Sequence, residues 1–458
     1  MAKKFDAIVI GTGQAGPSLA SRLAGAGWKV AVAERKRFGG TCVNNGCIPT
    51  KALVASARAA YMARRGPDYG VKIEGSIHVD MKKVKERKDA IVMKSNQGVE
   101  KRMKGLANVS VYENHARFEG SKTVRIGEEL LESDHIFINV GGRASMPPDL
   151  SLKGEALNNS SMMDVDSLPE HLIIVGGSYI GLEFGQMYRR FGSQVTIIEM
   201  ASRLIAREDA DTCETIQQIV EKEGVNVRLN AKCIKAEKMD GKVLLRLDCE
   251  TGGREVVGSH LLLAVGRVPN TDDLGLEKAA IEVDKRGFIQ VDDQLRTNVP
   301  GIWALGDCNG KGAFTHTSYN DYEIVAANLL DNDPRRVSDR ILTYALFVDP
   351  ALGRAGMTET EVRNSGKKAL IGRRPMTKVS RAIEKGETDG FMKILVDAET
   401  KRILGAGILG IEGDEIIHSI LDVMYAKAPY TVIQRAMHIH PTVSELIPTM
   451  LGEMKPLE

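Results

Sequence analysis

Two glycine-rich segments with the same spacing constrain the fold of this chain more than any other feature of its sequence. Residues 11–16 read GTGQAG after an apolar stretch, and residues 176–181 read GGSYIG after another. Each segment precedes a predicted helix and a second apolar stretch, which ends in an acid 23 positions after the first glycine, at Glu34 or Glu199. A lone motif of this kind is weak, but two copies with matching acids predict two βαβ dinucleotide-binding units.

Each glycine of such a unit has a mechanical role. The first allows a tight turn, the second lets the backbone approach a pyrophosphate, and the third lets the helix pack on the strand. The helix N-terminus offers free N–H groups to phosphates, and the acid accepts hydrogen bonds from a ribose. Ser178 replaces the middle glycine of the second copy, which we expect to change affinity or choice of dinucleotide. The predicted binding positions are Gly11, Gly13, Ala15, Gly16 and Glu34 in the first unit, and Gly176, Ser178, Ile180, Gly181 and Glu199 in the second.

The charge composition favours a small-molecule substrate. The 62 Lys and Arg residues nearly balance the 60 Asp and Glu residues, so no field of one sign covers the molecule to attract nucleic acid or an anionic membrane. The basic stretch 82–104 could bind a polyanion, but its interleaved apolar residues favour an amphipathic helix with a solvated face. With 458 residues, the chain is long enough for roughly three domains.

Targeting signals and cysteine content indicate a cytoplasmic protein. The first predicted strand begins at Phe5, which leaves no room for a signal or transit segment, and no apolar run approaches the roughly 18 residues of a membrane span. Six cysteines are too few for a disulfide framework, and no zinc-ligand spacing occurs. Four of the cysteines lack motif spacing and are interpreted as ordinary thiols: Cys213, Cys233, Cys249 and Cys308.

The other two cysteines, Cys42 and Cys47, lie shortly after the first glycine-rich unit. Positions five apart on a regular helix point away from each other, and a disulfide needs Cα atoms within about 7 Å, so we expect a local distortion at residues 44–46. Pro49 suits the first turn of a following helix, which places Cys47 near a helix N-terminus, where a thiol pKa falls. A stabilising disulfide in so small a loop would contribute only about 2 kcal/mol, so we interpret the pair as redox-active.

The C-terminal part of the chain has a different pattern. Predicted strands at 391–396 and 403–409 are followed by helices, which indicates a separate domain from about Arg340 onward. Before that domain, a buried strand at 301–306 delivers Asp307 at its carboxyl end. This acid is either a turn cap or part of a site.

A third motif lies near the end of the chain, where residues 438–445 read HIHPTVSE. Histidine titrates near neutral pH, so His440 could exchange the proton that thiol chemistry requires, and Glu445 could fix its tautomer. With this motif, both nucleotide units and the paired cysteines, the chain closely resembles the flavoprotein pyridine nucleotide-disulfide oxidoreductases, which include dihydrolipoamide dehydrogenase, glutathione reductase and mercuric reductase. Residues 47–51 (CIPTK) and 314–322 (FTHTSYNDY) resemble the mercuric-reductase-like branch that includes the reactive-chlorine-resistance flavoprotein.

The resemblance implies an α/β fold with two Rossmann-like dinucleotide-binding domains and an α+β C-terminal dimerisation domain. The FAD-binding domain would span residues 1–148 and 269–339, the NAD(P)-binding domain 149–268, and the dimerisation domain 340–458. The family forms homodimers in which the base matching His440 enters the active site of the partner subunit. A monomer is therefore expected to be inactive.

The resemblance also implies roles for individual residues. Cys47 would face the flavin as a thiolate, Cys42 would exchange with the substrate, and Lys51 would lie near the flavin ring in an ion pair with Glu183. Tyr179 would either cover the nicotinamide pocket or pack in the core. Glu34 would bind the adenosine ribose of FAD and Asp307 its ribityl chain, and the further cofactor positions are Gly40, Thr41, Lys51, Ala116, Gly141, Gly266, Thr315 and His316.

The implied function is passage of electrons from NAD(P)H through FAD to a Cys42/Cys47 disulfide and on to a disulfide, an oxidant or a metal ion. Glu199 favours NADH because an acid repels the 2′-phosphate of NADPH, although Arg203 could soften that preference. The alternatives are a dihydrolipoamide dehydrogenase and a redox-sensing or complex-subunit flavoprotein with little turnover. The C-terminal cysteine pair typical of mercuric reductases does not occur, which disfavours mercuric ion. Asn45 stands where relatives usually carry Val or Ile and is expected to alter the redox potential or the substrate fit.

Overall fold

The structure is a computed structural model that describes residues 2–248 and 253–458, so Cys249 lies outside the described residues. The described strands form six sheets, which are arranged as two nucleotide-binding units and a C-terminal domain. No helix in the described part of the chain is long and apolar enough to cross a membrane.

The first glycine-rich unit belongs to a five-stranded parallel sheet. Its strands, in spatial order, are Ile302–Ala304, Ile136–Ile138, Ala7–Ile10, Val30–Ala33 and Val109–Tyr112. The four strands other than the last are buried along their whole length, which explains their continuous apolar sequence. The helices that pack on one face are Ala15–Gly25, Met81–Gly105 and Thr315–Ala326.

The opposite face of this sheet packs on a second, four-stranded sheet. The strands of that sheet are Lys3–Lys4, Glu129–Glu132, Thr123–Ile126 and Ala116–Gly120. Phe118 and Leu131 are fully buried between the two layers. The first unit therefore has helices on one side and an added sheet on the other.

The second glycine-rich unit repeats this layering. Its parallel strands, in spatial order, are Asn226–Arg228, Gln194–Ile198, His171–Val175 and His260–Leu263. One face carries helices Tyr179–Phe191 and Ala210–Lys222, and the other packs on an antiparallel sheet. The strands of that sheet are Lys232–Met239, Lys242–Asp248 and Glu255–Gly258. The prediction of two Rossmann-like units is confirmed.

The C-terminal domain is built on a six-stranded antiparallel sheet. Its strands, in spatial order, are Thr343–Leu346, Leu352–Gly356, Ile403–Leu409, Phe391–Asp397, Ala369–Pro375 and Lys455–Pro456. Its helices are Glu359–Asn364, Ser380–Glu384, Gly413–Tyr425, Thr431–Arg435 and Leu446–Gly452. Ile416 and Ile420 pack against the sheet residues Ile394 and Ile408 in one core. The α+β prediction for this domain is confirmed, and the exact domain boundaries stay predictions.

The helix Cys47–Arg64 connects the two nucleotide-binding units. It starts beside the first glycine-rich turn, and its Leu53 and Ala57 are buried in the core of the second unit together with Leu182. The short elements that complete the chain are helix Gly40–Asn44, a two-stranded ribbon of Gly142–Ala144 and Arg267–Pro269, 3₁₀ turns at Gly66–Tyr69, Leu152–Gly154, Ser161–Asp164, Leu276–Ala279, Gly306–Asn309, Val337–Asp339 and Met376–Lys378, and a π turn at Ala327–Asp331.

The basic stretch 82–104 lies within one amphipathic helix, Met81–Gly105. The carboxylate of Asp80 caps this helix by accepting a hydrogen bond from the Lys83 N–H. Val92 and Met103 are buried, whereas most of the basic side chains face solvent. The amphipathic interpretation of this stretch is confirmed.

Candidate redox-active site

The two paired cysteines lie on either side of a break between helices Gly40–Asn44 and Cys47–Arg64. Gly46 stands at the break with φ −127° and ψ −116°. A Cβ atom at that position would lie 2.8 Å from the carbonyl oxygen of Thr41, so the bend has no room for a side chain. The distortion that the cysteine spacing predicts is present, and both cysteines are free thiols in this structure.

The surroundings of Cys47 favour its thiolate form. It is the first residue of its helix, and its Sγ lies 3.0 Å from Oγ1 of Thr315, the first residue of another helix, so two positive helix ends meet at one sulfur. A hydrogen bond with the Cys42 thiol, another with Thr315 and the charge of Lys51 lower the pKa of Cys47 to about 6 against the opposing effect of burial. The bond with Cys47 and burial raise the pKa of Cys42 above its ordinary value. These surroundings therefore favour the thiolate form at Cys47 and the protonated thiol at Cys42.

Lys51 lies one helical turn after Cys47 and forms an ion pair with Glu183 of the second unit. The Lys51 Nζ is 3.0 and 2.9 Å from the two carboxylate oxygens and 4.2 Å from the centre of the Phe347 ring. Glu183 is 7% exposed and also accepts a hydrogen bond from the Phe347 N–H at 3.2 Å. The structure thus brings the predicted pair together, and the Lys51 charge lowers the pKa of both Cys42 and Cys47.

The first glycine-rich turn is a backbone cradle. Gly11 has φ +102°, and a Cβ atom there would lie 2.3 Å from the carbonyl oxygen of Asn139. A Cβ atom on Gly16 would lie 2.2 Å from the Gly11 carbonyl oxygen. The Glu34 Oε2 accepts hydrogen bonds from the Thr12 N–H at 3.0 Å and from its hydroxyl at 2.5 Å. This combination of close backbone and a carboxylate at the rim fits the pyrophosphate and ribose of a dinucleotide such as FAD.

Asn139 is a structural residue of this cradle that the sequence reasoning missed. It is 5% exposed, its Oδ1 accepts a hydrogen bond from the Gly16 N–H at 3.0 Å, and its Nδ2 donates to the Leu305 carbonyl oxygen at 3.0 Å. A Cβ atom on Gly13 would lie 2.9 Å from the same Oδ1. The partners of Asn139 are 123 and 166 residues away in sequence, so no local pattern could have revealed this role.

The second glycine-rich turn has the same backbone geometry. The Gly177 N–H donates to the Glu199 Oε2 at 2.7 Å, which matches the bond at the same position of the first turn. A Cβ atom on Gly176 would lie 2.4 Å from the Ala264 carbonyl oxygen, and one on Gly181 would lie 1.9 Å from the Gly176 carbonyl oxygen. This turn therefore also fits a dinucleotide, and the acid again stands at the rim.

Ser178 is tolerated in the second turn for a reason visible only in three dimensions. The residue that faces the first glycine is Asn139 in one unit and Ala264 in the other. The Asn139 amide crowds the middle position and requires Gly13, whereas Ala264 carries no such group. The departure from the glycine pattern is thus compatible with the same backbone turn.

Asp307 stands in a rigid turn just after strand Ile302–Ala304. Its Oδ2 lies 3.6 Å from Nη2 of Arg267, and burial raises the pKa of the carboxyl group. The carboxylate of Asp321, 2% exposed, accepts a hydrogen bond from the Gly306 N–H at 2.7 Å and thereby fixes the turn. Like Asn139, Asp321 is a buried supporting residue that the sequence reasoning did not single out.

Tyr179 belongs to an aromatic cluster at the start of the second unit's helix. Its ring meets the rings of Phe314 and Tyr344 edge-on, with centroids 5.9 and 5.8 Å away. Phe314 in turn stacks on Tyr344 at 5.5 Å and on His316 at 5.4 Å. The Tyr179 ring is half-buried, and burial raises the pKa of its hydroxyl to about 12. The cluster joins three parts of the chain beside the second glycine-rich turn.

The remaining predicted cofactor positions lie in the two nucleotide units. Three glycines adopt a positive φ that favours glycine: Gly40 (60°), Gly141 (65°) and Gly266 (112°). A Cβ atom on Gly40 would lie 2.8 Å from the Gly13 Cα, so the cysteine-bearing segment touches the first turn. The other positions contribute backbone and packing: Ala15 and Ala116 are buried, and Thr41 and Ile180 are half-buried.

His440 and Glu445 form a pair on the exterior of the C-terminal domain. The His440 Nδ1 is 2.9 and 3.1 Å from the two carboxylate oxygens, and the His440 side chain is 75% exposed. Met437 and Ile439 beside it are 100% and 80% exposed. Within the described residues, neither member of the pair is hydrogen bonded to a thiol of the cysteine pair. The structure therefore joins the predicted base to its acid but does not bring them to the dithiol of the same chain.

Asn45, between the two cysteines, is held by residues of the second unit. Its Nδ2 donates to the Ser160 Oγ at 2.6 Å, and its carbonyl oxygen accepts from the Asn159 Nδ2 at 3.1 Å. Its Oδ1 is buried and has no hydrogen-bond partner among the described residues. The sequence singled out Asn45, but its two partners could not be found from local pattern.

Comparison with known proteins places the whole chain in a well-populated group. The sequence model described as pyridine nucleotide-disulphide oxidoreductase matches residues 5–321, and that of its dimerisation domain matches residues 342–451. The probable pyridine nucleotide-disulfide oxidoreductase RclA of Escherichia coli (strain K12) is 34% identical over 99% of this chain and 100% of its own length. The dihydrolipoyl dehydrogenase of Geobacillus stearothermophilus is 32% identical over 96% of this chain and 94% of its own length.

A solved structure shares the fold at the same level of identity. It is described as the Cu(II) complex of the HOCl-induced flavoprotein disulfide reductase RclA from Escherichia coli, and it matches with a TM-score of 0.89 at 34% identity. The match covers 98% of this chain and 99% of that chain. Across the described residues of the present structure, no group of three or more His, Cys, Asp or Glu side chains is arranged to hold a metal ion.

Proposed function

This chain belongs to the pyridine nucleotide-disulphide oxidoreductase family, and we propose that its Cys42/Cys47 pair passes electrons from NAD(P)H to a small-molecule disulfide, oxidant or metal ion. The family resemblance drawn from the motifs is confirmed, including the likeness to the reactive-chlorine-resistance branch. The chain is an enzyme, a flavin-dependent pyridine nucleotide-disulfide oxidoreductase that uses FAD and NAD(P)H. Its dimerisation domain supports a homodimer.

The observation that carries the proposal is the division of roles between two adjacent thiols. Cys47 begins one helix and lies beside the first residue of another, contacts that lower the pKa of its thiol, whereas the bond to Cys47 and burial raise the pKa of Cys42. Thiol–disulfide exchange needs one sulfur as attacking nucleophile and another that can close the disulfide behind it. An unreactive structural pair would have no need of the Lys51–Glu183 ion pair or of Thr315 beside one sulfur.

Each side chain then has a defined task in electron transfer. FAD, when bound, converts the hydride of NAD(P)H into electron pairs that a disulfide can accept. Cys47 holds negative charge beside Thr315, and Lys51 stabilises that charge. Cys42 attacks the acceptor after losing its proton to His440 of the partner subunit, whose charged form Glu445 stabilises.

The acceptor is the part of the proposal that assays must decide. One similar structure is described as HOCl-induced and as a Cu(II) complex, so we include Cu(II) and oxidant-derived disulfides among the acceptors of this chain. Lipoamide enters the comparison because dihydrolipoyl dehydrogenases are 32% identical to the chain. Hg(II) is included as the acceptor that the sequence disfavours.

An acceptor panel tests the proposal directly. The FAD-loaded protein is assayed with NADH and one of lipoamide, glutathione disulfide, Cu(II), Hg(II) or a disulfide formed by hypochlorous acid. We expect kcat/KM for Cu(II) or the oxidant-derived disulfide to exceed that for lipoamide and Hg(II) by about tenfold or more. The ratio of kcat/KM values is the appropriate measure because an enzyme discriminates between acceptors by how strongly it binds each transition state. A clear preference for lipoamide would establish the dihydrolipoamide dehydrogenase alternative. Flavin reduction by NADH with no turnover on any acceptor would contradict the proposal and favour redox sensing.

We also propose that NADH is the preferred donor. Glu199 stands at the rim of the second turn, where a carboxylate bonds to a ribose hydroxyl and repels a 2′-phosphate. Glu199→Ala is expected to lower kcat/KM for NADH by about tenfold. The ratio of kcat/KM for NADH to kcat/KM for NADPH should therefore fall. Steady-state kinetics with both donors measures this, and Glu221→Ala, on an exposed part of the same unit, is the matched control. A strong preference of the wild type for NADPH that Glu199→Ala leaves unchanged would refute the assignment.

A further inference from the structure

The C-terminal sheet reaches the second nucleotide unit through two neighbouring side chains. Tyr344 and Arg354 are directly opposite each other on the antiparallel strands Thr343–Leu346 and Leu352–Gly356, so their side chains share one face of the sheet. Both point at Glu208: the Tyr344 hydroxyl donates to its Oε1 at 2.5 Å, and the Arg354 Nε is 4.0 Å from its Oε2. All three side chains are buried, with Glu208 4% and Arg354 1% exposed.

This cluster is not a tightly closed ion pair. The Glu208 Oε2 and the Arg354 Nε and Nη2 are buried without a hydrogen-bond partner among the described residues, and the Arg354 Nη1 is 3.7 Å from the nearest Asp209 oxygen. Buried charged atoms without partners destabilise a fold, so a cluster that served stability alone would be expected to satisfy them. Among the described side chains, Glu208 makes one short hydrogen bond, and its partner is Tyr344. Anchoring that hydroxyl is therefore the clearest task of the buried carboxylate.

The anchored tyrosine supports the aromatic cluster beside the second glycine-rich turn. Its ring stacks on Phe314 at 5.5 Å with an interplanar angle of 11°, and it meets the edge of Tyr179 at 5.8 Å. Tyr179 is the first residue of the helix that follows the turn, and Phe314 precedes Thr315, which contacts Cys47. Tyr344 thus holds the ring of Tyr179 from the side of the C-terminal domain.

We propose that Tyr344, anchored by Glu208 and backed by Arg354, is a positioning residue that sets how Tyr179 admits the nicotinamide ring of NAD(P)H. The inference rests on the proposed use of NAD(P)H and takes up the first of the two roles that the family resemblance implies for Tyr179, namely that its ring covers the nicotinamide pocket. It makes a specific division: donor binding depends on the bond between Tyr344 and Glu208, whereas exchange between the dithiol and the acceptor does not. If the hydrogen bond between Tyr344 and Glu208 is removed, the Tyr179 ring spends less time in the conformation that admits the nicotinamide ring. The apparent affinity for NAD(P)H then falls in proportion.

The test compares Tyr344→Phe and Glu208→Gln with the wild type in the FAD-loaded dimer. Kd for NAD⁺ is measured by titration calorimetry, the reductive half-reaction by rapid mixing with NADH, and the oxidative half-reaction by mixing the pre-reduced enzyme with its acceptor. Tyr344→Phe is expected to raise Kd for the nucleotide about fivefold and to leave the oxidative half-reaction within about twofold. Glu208→Gln keeps an acceptor oxygen for the hydroxyl and is expected to have a smaller effect. The double variant should be no worse than Tyr344→Phe alone, because without the Tyr344 hydroxyl the side chain at position 208 has nothing left to anchor.

Control measurements separate positioning from folding. Tyr188→Phe removes the hydroxyl of another buried tyrosine, which lies in helix Tyr179–Phe191 outside the cluster, and should leave Kd unchanged. If Tyr344→Phe loses FAD or melts at a markedly lower temperature, Glu208→Gln, which preserves side-chain shape, carries the test. Unchanged nucleotide Kd in the folded variants, or equal loss in both half-reactions, would overturn the inference. Failure of the wild type to accept electrons from NADH would instead overturn the proposed function.

Discussion

Replacing Cys42 with serine is expected to lower acceptor turnover by about 1,000-fold or more while NADH still reduces the bound flavin. The reason is that the proposed function gives the two thiols separate tasks, in which Cys42 reacts with the acceptor and Cys47, whose pKa its surroundings lower, holds negative charge. Removal of one sulfur prevents disulfide formation but leaves the nucleotide units and their glycine-rich turns intact. Anaerobic rapid mixing with NADH measures flavin reduction, and steady-state assays with the best acceptor measure turnover.

The matched control for this variant is Cys233→Ser. Cys233 is half-buried in the antiparallel sheet of the second unit, and burial raises the pKa of its thiol to about 12. Unlike Cys42, it has no proposed base that would take its proton. Cys233→Ser should keep full turnover. The Cys42→Ser protein should also retain the long-wavelength absorption band that arises from charge transfer between the Cys47 thiolate and the flavin. Turnover that survives in Cys42→Ser would place the chemistry elsewhere in the molecule.

The second large effect concerns the exposed pair on the C-terminal domain. His440→Ala is expected to lower turnover by about 100-fold or more, because general acid–base catalysis typically contributes at least that factor. Glu445→Gln keeps the shape of the side chain but removes its negative charge, so it should cause a smaller loss through the orientation of the imidazole. Steady-state turnover of both variants measures these effects, and flavin reduction by NADH should be unchanged in each.

A mixed dimer decides whether the base acts across the subunit boundary. Chains with Cys42→Ser and chains with His440→Ala are co-expressed with different tags, and the mixed species is purified on both. If His440 acts in the partner subunit's site, one of the two sites in each mixed dimer is complete, and the activity is about half that of the wild type. If it acts within its own chain, both sites are defective and the mixed dimer is as inactive as its parents. The two homodimers provide the background level.

The parts of the fold that could be predicted are those coded by short-range pattern. Strand Ile403–Leu409 has the predicted bounds because its apolar run ends at a turn. The break before Cys47 followed from the geometry of a helix and of a disulfide, which needs no knowledge of the partner residues. The paired acids Glu34 and Glu199 bond to equivalent positions of their turns, as the repeat implied.

The missing parts all depend on contacts between distant segments. Asn139 shapes the first turn from a strand more than a hundred residues away, and the sequence around it gives no signal of that contact. Tyr344 and Glu208 meet across 136 residues and two domains, and each looks like an ordinary residue of its own element. The resemblance to a known family supplied the Lys51–Glu183 pair, which the local pattern of either helix would not have revealed.

The asymmetric pair of thiols has a consequence for survival under oxidative attack. An oxidant reacts faster with a thiolate than with a thiol, and the contacts that favour the thiolate at Cys47 therefore also favour its oxidation to a sulfenic acid. The neighbouring Cys42 thiol can condense with it, forming the disulfide and releasing water. The product of that oxidation is the same disulfide that NAD(P)H reduces in the proposed turnover. A chain with this arrangement can repair its own most vulnerable sulfur before the oxidation becomes irreversible.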